Sequence, residues 1–167
     1  MKLLIHDLPQ ELAEQALGIP PHGMRVVSDD GTVRPCVGCF GCWVKTPGQC
    51  VIRDRYGDMG KFFAECEEVV LVSRCFYGGF SPFVKNILDR SIPYIHPYFV
   101  IKNKEMHHRP RYDRQIKISA FFYGPDITER EKDTARSLVD ANAVNFDGTV
   151  RNVSFAVKPE EFRGLFS

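Results

Sequence analysis

The segment "EVVLVSRCFYGGFSPFVKNILDR", residues 68–90, decides the fold class. Its first seven residues hold an unbroken Val/Leu run, the pattern of a strand covered on both faces rather than one. A Gly-rich loop, "CFYGGF" (75–80), follows. Ser81 then stands as a helix cap, with Pro82 in the first turn and Phe83, Val84, Ile87 and Leu88 at helical spacing. A buried strand, a short loop and a capped amphipathic helix are the working half of a βαβ unit, so the chain reads as an α/β protein built on a parallel sheet.

Four further strands are read at "KLLIHDL" (2–8), "MRVVSDD" (24–30), "QIKISAFFYG" (115–124) and "TVRNVSFAV" (149–157). Helices are expected at "QELAEQALG" (10–18) behind Pro9, at "DMGKFFAECE" (58–67) and at "DITEREKDTARSLVDANA" (126–143), with Asp58 as a cap and Met59, Phe62, Phe63 and Cys66 on one apolar side. "IPPHG" (19–23) is a break and "KPEEFRGLFS" (158–167) a tail. The alternation predicts a doubly wound, flavodoxin-sized sheet of five parallel strands with helices on both faces, in one domain over 1–167. Ligands of such sheets bind outside the carboxyl ends of the strands, here at the loops after "KLLIHDL", "EVVLVSR" and "SAFFYG". Residues 33–53 form a Gly, Pro and Cys-rich loop in which no regular element is expected. Residues 91–114, with four aromatics, three Pro and three His, read as a long excursion without firm structure of its own.

With 22 basic and 21 acidic residues the net charge is +1, which supplies no general attraction to nucleic acid or to an anionic membrane. The apolar run before His6 and Asp7 is too short for a signal peptide and no later run approaches a membrane span, so a cytoplasmic location is expected. "KNKEMHHRPRYDR" (102–114) is a local basic stretch, read as a surface loop before an anion site. Adjacent on one element, His107 and His108 make a poor metal pair.

The cysteine-rich loop "PCVGCFGCWVKTPGQC" (35–50) spaces Cys36, Cys39, Cys42 and Cys50 as C-x2-C-x2-C-x7-C. In a reducing compartment such clustering points to metal or redox chemistry rather than to a disulfide framework. Three readings stand: an iron-sulfur cluster, which the compact triple and a fourth thiolate can wrap; structural zinc; and a reduced loop whose cysteines act as small hydrophobes. Trp43 is expected to pack this loop down.

The loop "RCFYGGFS" (74–81) combines glycines that let backbone approach a planar ring with aromatics that can wall it, against the plainer reading of a βα turn with core aromatics. Neither nucleotide-binding glycine signature occurs. "HDLPQE" after the first strand lacks the Gly, Ser and Thr donors of a phosphate loop, and Asp7 would repel an anion.

Taken together, "PCVGCFGCWVKTPGQCVIRD" and "YGGFSPFVKNILDR" resemble the flavodoxin-like NAD(P)H-dependent FMN reductases, particularly the branch that includes iron-sulfur flavoproteins, over about residues 33–90. The resemblance implies FMN across the carboxyl ends of the strands. Cys75, Phe76, Tyr77, Gly78, Gly79, Phe80 and Ser81 would border its ring, with Tyr123 and Gly124 on the next strand's loop. It implies a 4Fe-4S cluster on Cys36, Cys39, Cys42 and Cys50 in some members, NAD(P)H as co-substrate, a small-molecule or protein electron acceptor, and a homodimer or homotetramer. Arg109 and Arg111 are candidates to meet the phosphates of the nicotinamide dinucleotide or a neighbouring subunit. The chain departs from the family pattern in two places: "HDLPQELAEQALG" stands where a phosphate-binding loop and long helix are usual, and Cys75 replaces a usual Pro. The expected function is thus an FMN-dependent oxidoreductase taking electrons from NAD(P)H, with no side chain identified as its acid or base. The alternative, favoured by the missing phosphate loop, is a flavodoxin-like scaffold that has lost flavin and serves assembly or regulation, its cysteine loop structural or thiol-sensing.

Overall fold

The computed structural model describes residues 1–18 and 23–164; most of the break at 19–23 and the end of the tail, 165–167, lie outside the described residues. The elements are β1 (Lys2–His6), α1 (Gln10–Leu17), β2 (Met24–Ser28), α2 (Gly41–Val44), α3 (Met59–Glu65), β3 (Glu68–Arg74), α4 (Pro82–Arg90), β4 (Ile95–Lys102), β5 (Glu105–Pro110), β6 (Lys117–Tyr123), α5 (Glu129–Asn145) and β7 (Thr149–Ala156), with 3-10 turns at Ile92–Tyr94 and Pro159–Phe162. Five strands pair in parallel in the order β2-β1-β3-β6-β7, the flavodoxin-like doubly wound order, with the switch point between β1 and β3.

β3 lies at the centre of the sheet, which is why its apolar run is unbroken: every residue before Arg74 is buried. Because side chains alternate along a strand, Leu3, Ile5, Val69, Leu71, Ile118, Ala120 and Phe122 share one core with α3, α4 and α5. Leu4, Val70, Val72 and Phe121 join the other, where Leu8, Ala13, Ala16 and Leu17 of the β1–α1 segment and Phe162 of the closing turn meet them. Helices therefore cover both faces, the second much more thinly.

Of the two caps read from the sequence, Ser81 and Asp58, one forms. The Ser81 hydroxyl accepts the Val84 N–H at 3.4 Å at the start of α4. Thr128 and Glu131 close a capping box on α5, which begins three residues later than the sequence pattern suggests. Asp58 makes no side-chain cap on α3; its carboxylate accepts instead from Gln49 Nε2 at 2.6 Å and ties the cysteine loop to that helix.

Two expectations need correction. The cysteine loop does contain a regular element, the single turn of α2. The 91–114 excursion is structured, as an antiparallel hairpin of β4 and β5. Its tip, Asn103 and Lys104, has both residues at positive φ (50° and 69°), the conformation of a two-residue turn that suits strand twist. Pro97 and a register shift between Ile95 and Phe99 hide the alternation from sequence.

At the end of β1, His6 is buried and its Nδ1 has no hydrogen-bond partner. Burial, partly offset by a backbone hydrogen bond at Leu8, pushes its pKa down from 6.5 to about 4. The unfolded chain therefore takes up this proton before the folded one. Stability is complete above the unfolded value and falls as pH drops from 6.5 towards 4, by roughly 3 kcal/mol. Urea unfolding of the wild type and of His6→Gln across that window should show a shallower pH slope in the variant; identical slopes would contradict the assignment.

Candidate functional site

The cysteine loop is bent by two left-handed residues, Gly38 (φ 63°) and Phe40 (φ 55°), which turn the chain between successive cysteines. Cys36, Cys39, Cys42 and Cys50 all line one small cavity of about 50 Å³, walled mainly by apolar groups including Val37, Phe40, Val51, Ile92 and Pro93. Gly41 allows this closeness, since a Cβ there would stand 2.6 Å from Val51 Cγ1. Burial first, and then the neighbouring Cys50, Cys36 and Cys39, push the Cys42 thiol up to about 11. The thiols thus sense one another. Among the described residues no group of three His, Cys, Asp or Glu side chains is disposed to hold a metal ion.

As expected, Trp43 packs the loop down: its indole Nε1–H donates to the Ile95 carbonyl at 3.0 Å, and its ring lies between Phe40 (5.6 Å) and His108 (4.7 Å). A stronger anchor went unread in the sequence. Arg90, the last residue of α4, has a fully buried side chain and lines the same cavity. It donates to both Asp54 carboxylate oxygens at 2.7 Å, to the Arg34 carbonyl at 3.0 Å and to the Ile52 carbonyl at 3.2 Å. Its Nε has no hydrogen-bond partner. Burial opposes the charge, but Asp54 and then Cys50 hold the guanidinium pKa above its ordinary value, while Arg90 holds the Asp54 carboxyl below the usual range. An open groove of about 690 Å³ on the same loop shares Cys50, Val51 and Ile52 with the cavity and is flanked by Lys45, Arg53 and Asp58.

The second candidate region is the crevice at the carboxyl ends of β1, β3 and β6. Here Asp7, directly after β1, accepts the Arg74 N–H at 2.9 Å and the Tyr123 hydroxyl at 3.1 Å. Burial raises its pKa, opposed by hydrogen bonds from Ser81, Arg74 and Tyr123; burial and the Asp7 charge raise that of Tyr123. Two adjoining clefts of about 200 and 210 Å³ share Gly124, Pro125 and Ile127.

The residues expected to border a ring divide. Phe76 and Gly79 bridge to each other across a tight turn whose tip, Tyr77 (φ 53°) and Gly78 (φ 81°), leaves Tyr77 91% exposed. Cys75 donates its N–H to the Tyr123 carbonyl at 2.9 Å and lines the smaller cleft with Gly124. Phe80 instead enters the core, stacked on Phe122 at 5.0 Å, and Ser81 is buried as the cap of α4. The Tyr123 hydroxyl is committed to Asp7. Arg111 is turned inward, donating to the Pro93 and Ile95 carbonyls. No Ser, Thr or Gly stands between β1 and α1 to serve a phosphate, and the chain's own Asp7 carboxylate occupies the Arg74 N–H and the Tyr123 hydroxyl.

Removing one partner of a buried ion pair leaves the other charge uncompensated, at a cost of about 3 to 5 kcal/mol. Arg90→Met should lose that much stability in chemical denaturation and shift the fluorescence of Trp43, the single tryptophan, which sits on the loop that Arg90 holds. A loss below about 1 kcal/mol would show that the pair carries little of the loop's order.

No family model matches the chain. It is 31% identical over 102 residues to an iron-sulfur flavoprotein of Methanocaldococcus jannaschii, a match covering 61% of this chain and 49% of that protein. It is 34% identical over 61 residues to an iron-sulfur flavoprotein of Archaeoglobus fulgidus, covering 36% and 27%. The matches thus span about half or less of these relatives' length. Among solved structures, azoreductase AzrA superposes with a TM-score of 0.56 over 97% of this chain and 89% of its own at 11% identity. An azoreductase from Bacillus anthracis gives 0.52 over 96% and 88% at 12% identity. The resemblance read from the sequence is borne out: the chain is similar to iron-sulfur flavoproteins and has the flavodoxin-like fold of the azoreductases.

Proposed function

We propose that the chain is a flavin-linked oxidoreductase whose cysteine loop holds an iron-sulfur cluster. The observation that carries this reading is the convergence of Cys36, Cys39, Cys42 and Cys50 on one apolar cavity. A cuboidal cluster presents its irons at separate corners, so four thiolates around a cavity suit it where a single ion needs ligands converging on one point. Arg90 supplies a fixed positive charge beside thiolates that would otherwise repel one another, and its orphaned Nε–H is a donor for a ligand sulfur. The similarity to proteins named iron-sulfur flavoprotein supports both cofactors.

The flavin would supply the redox chemistry, and the chain its position and surroundings. On this reading the backbone from Cys75 to Gly79, with Gly124, lines the ring site. A nicotinamide dinucleotide, NADH or NADPH, is the electron source, and a small molecule or a protein the acceptor. The working form is a homodimer or homotetramer in the cytoplasm. The rival, a scaffold that has lost its flavin, is favoured by one observation, the Asp7 carboxylate bonded across the end of β1 where the resemblance puts a phosphate loop.

Anaerobic reconstitution with iron and sulfide should give a brown protein with about four iron atoms per chain. Cys39→Ser should lose iron and visible absorbance together, and unchanged iron in that variant would sink the ligand assignment. A wild type that stays colourless and retains neither iron nor flavin would leave the scaffold reading standing.

A further inference from the structure

We infer that the crevice at the carboxyl ends of β1, β3 and β6 selects a flavin without a terminal phosphate, of the riboflavin type, over FMN; this rests on the flavin reading above. The Asp7 carboxylate carries it. An anion entering this crevice would need donors, and the ones near the switch point are taken: Asp7 holds the Arg74 N–H at 2.9 Å and the Tyr123 hydroxyl at 3.1 Å, and the Ser81 hydroxyl also acts on it. They come from different segments, so Asp7 bridges the loops where an exogenous anion would otherwise bridge them.

Among the described residues the rest of the crevice holds both signs of charge. Pro9, at the start of α1, has no N–H to give and no side-chain cap, and the first turn carries Glu11. Asp126 and Glu131 line the smaller cleft beside Arg74, the cation there. Lys132, which lines the neighbouring cleft, is paired with Glu129 at 2.7 Å. A phosphate monoester would bring about −1.5 to −2 charges to this carboxylate-lined place. A polyol tail meets the opposite condition, because an ionised carboxylate only accepts hydrogen bonds and a ribityl chain is rich in hydroxyl donors. An uncharged hydroxylated tail is therefore complementary to Asp7 where a phosphorylated one is not.

The test is equilibrium dialysis of riboflavin and of FMN, at one pH and ionic strength, against the wild type and Asp7→Ser. The wild type should bind riboflavin at least about tenfold more tightly than FMN, and Asp7→Ser, which frees the Arg74 N–H and the Tyr123 hydroxyl, should move that ratio at least about tenfold towards FMN. Circular dichroism checks that the variant folds; if it does not, Asp7→Asn, which keeps the acceptor oxygen and removes the charge, takes its place. A wild type that binds FMN as tightly as riboflavin, or a ratio unmoved by a folded variant, overturns the inference alone. A wild type that retains neither at high micromolar concentration overturns the flavin reading and the inference with it.

Discussion

The ion pair between Arg90 and Asp54 is the constraint on which the cysteine loop depends. Between β2 and α3 the chain contributes only one regular element, the four residues of α2, so the loop cannot hold its shape through a backbone ladder. It takes that shape from α4, whose Phe83, Val84, Ile87 and Leu88 fix it in the larger core and whose last residue reaches Asp54, Arg34 and Ile52 at once. Burying a charge this deeply is costly unless every neighbour is arranged to meet it. Arg90 lines the four-thiol cavity and keeps one unmet Nε–H, which links the loop's order to its chemistry.

The sheet sets the second site by the same economy of parts. Its order brings the ends of β1 and β3 together at the switch point, the place where α/β sheets bind ligands. In this chain the loop after β1 is short and its helix has eight residues, so a cradle of backbone and hydroxyl donors has no length in which to form. Asp7 closes the gap by bonding across to β3 and β6, which holds the loop ends together without a ligand. The ends of these strands are thus held together by an internal carboxylate.

Much of this was legible in residues 68–90, because a central parallel strand must be apolar on both faces and a Ser-Pro pair before an amphipathic run marks a helix start. The hairpin was not, since Pro97, a register shift and a Lys at the turn position where Gly is usual each erase one of the signals a strand pair gives. Phe80 and Ser81 read equally well as ring-facing or as core and cap, and only packing separates the two. Asp54 and Arg90 stand 36 positions apart, and no periodicity joins them. In the sequence Asp7 reads as hostile to an anion, but its partners on β3 and β6 are a product of strand register, which local sequence does not carry.

The most direct measurement on the central claim, that one cavity gathers four thiols into one redox centre, is Mössbauer spectroscopy of the protein reconstituted anaerobically with isotopically enriched iron. A single cluster spectrum accounting for the bound iron in the wild type, and lost in Cys39→Ser, is the predicted result. Iron held as an isolated tetrahedral ion, or no iron retained at all, would contradict it.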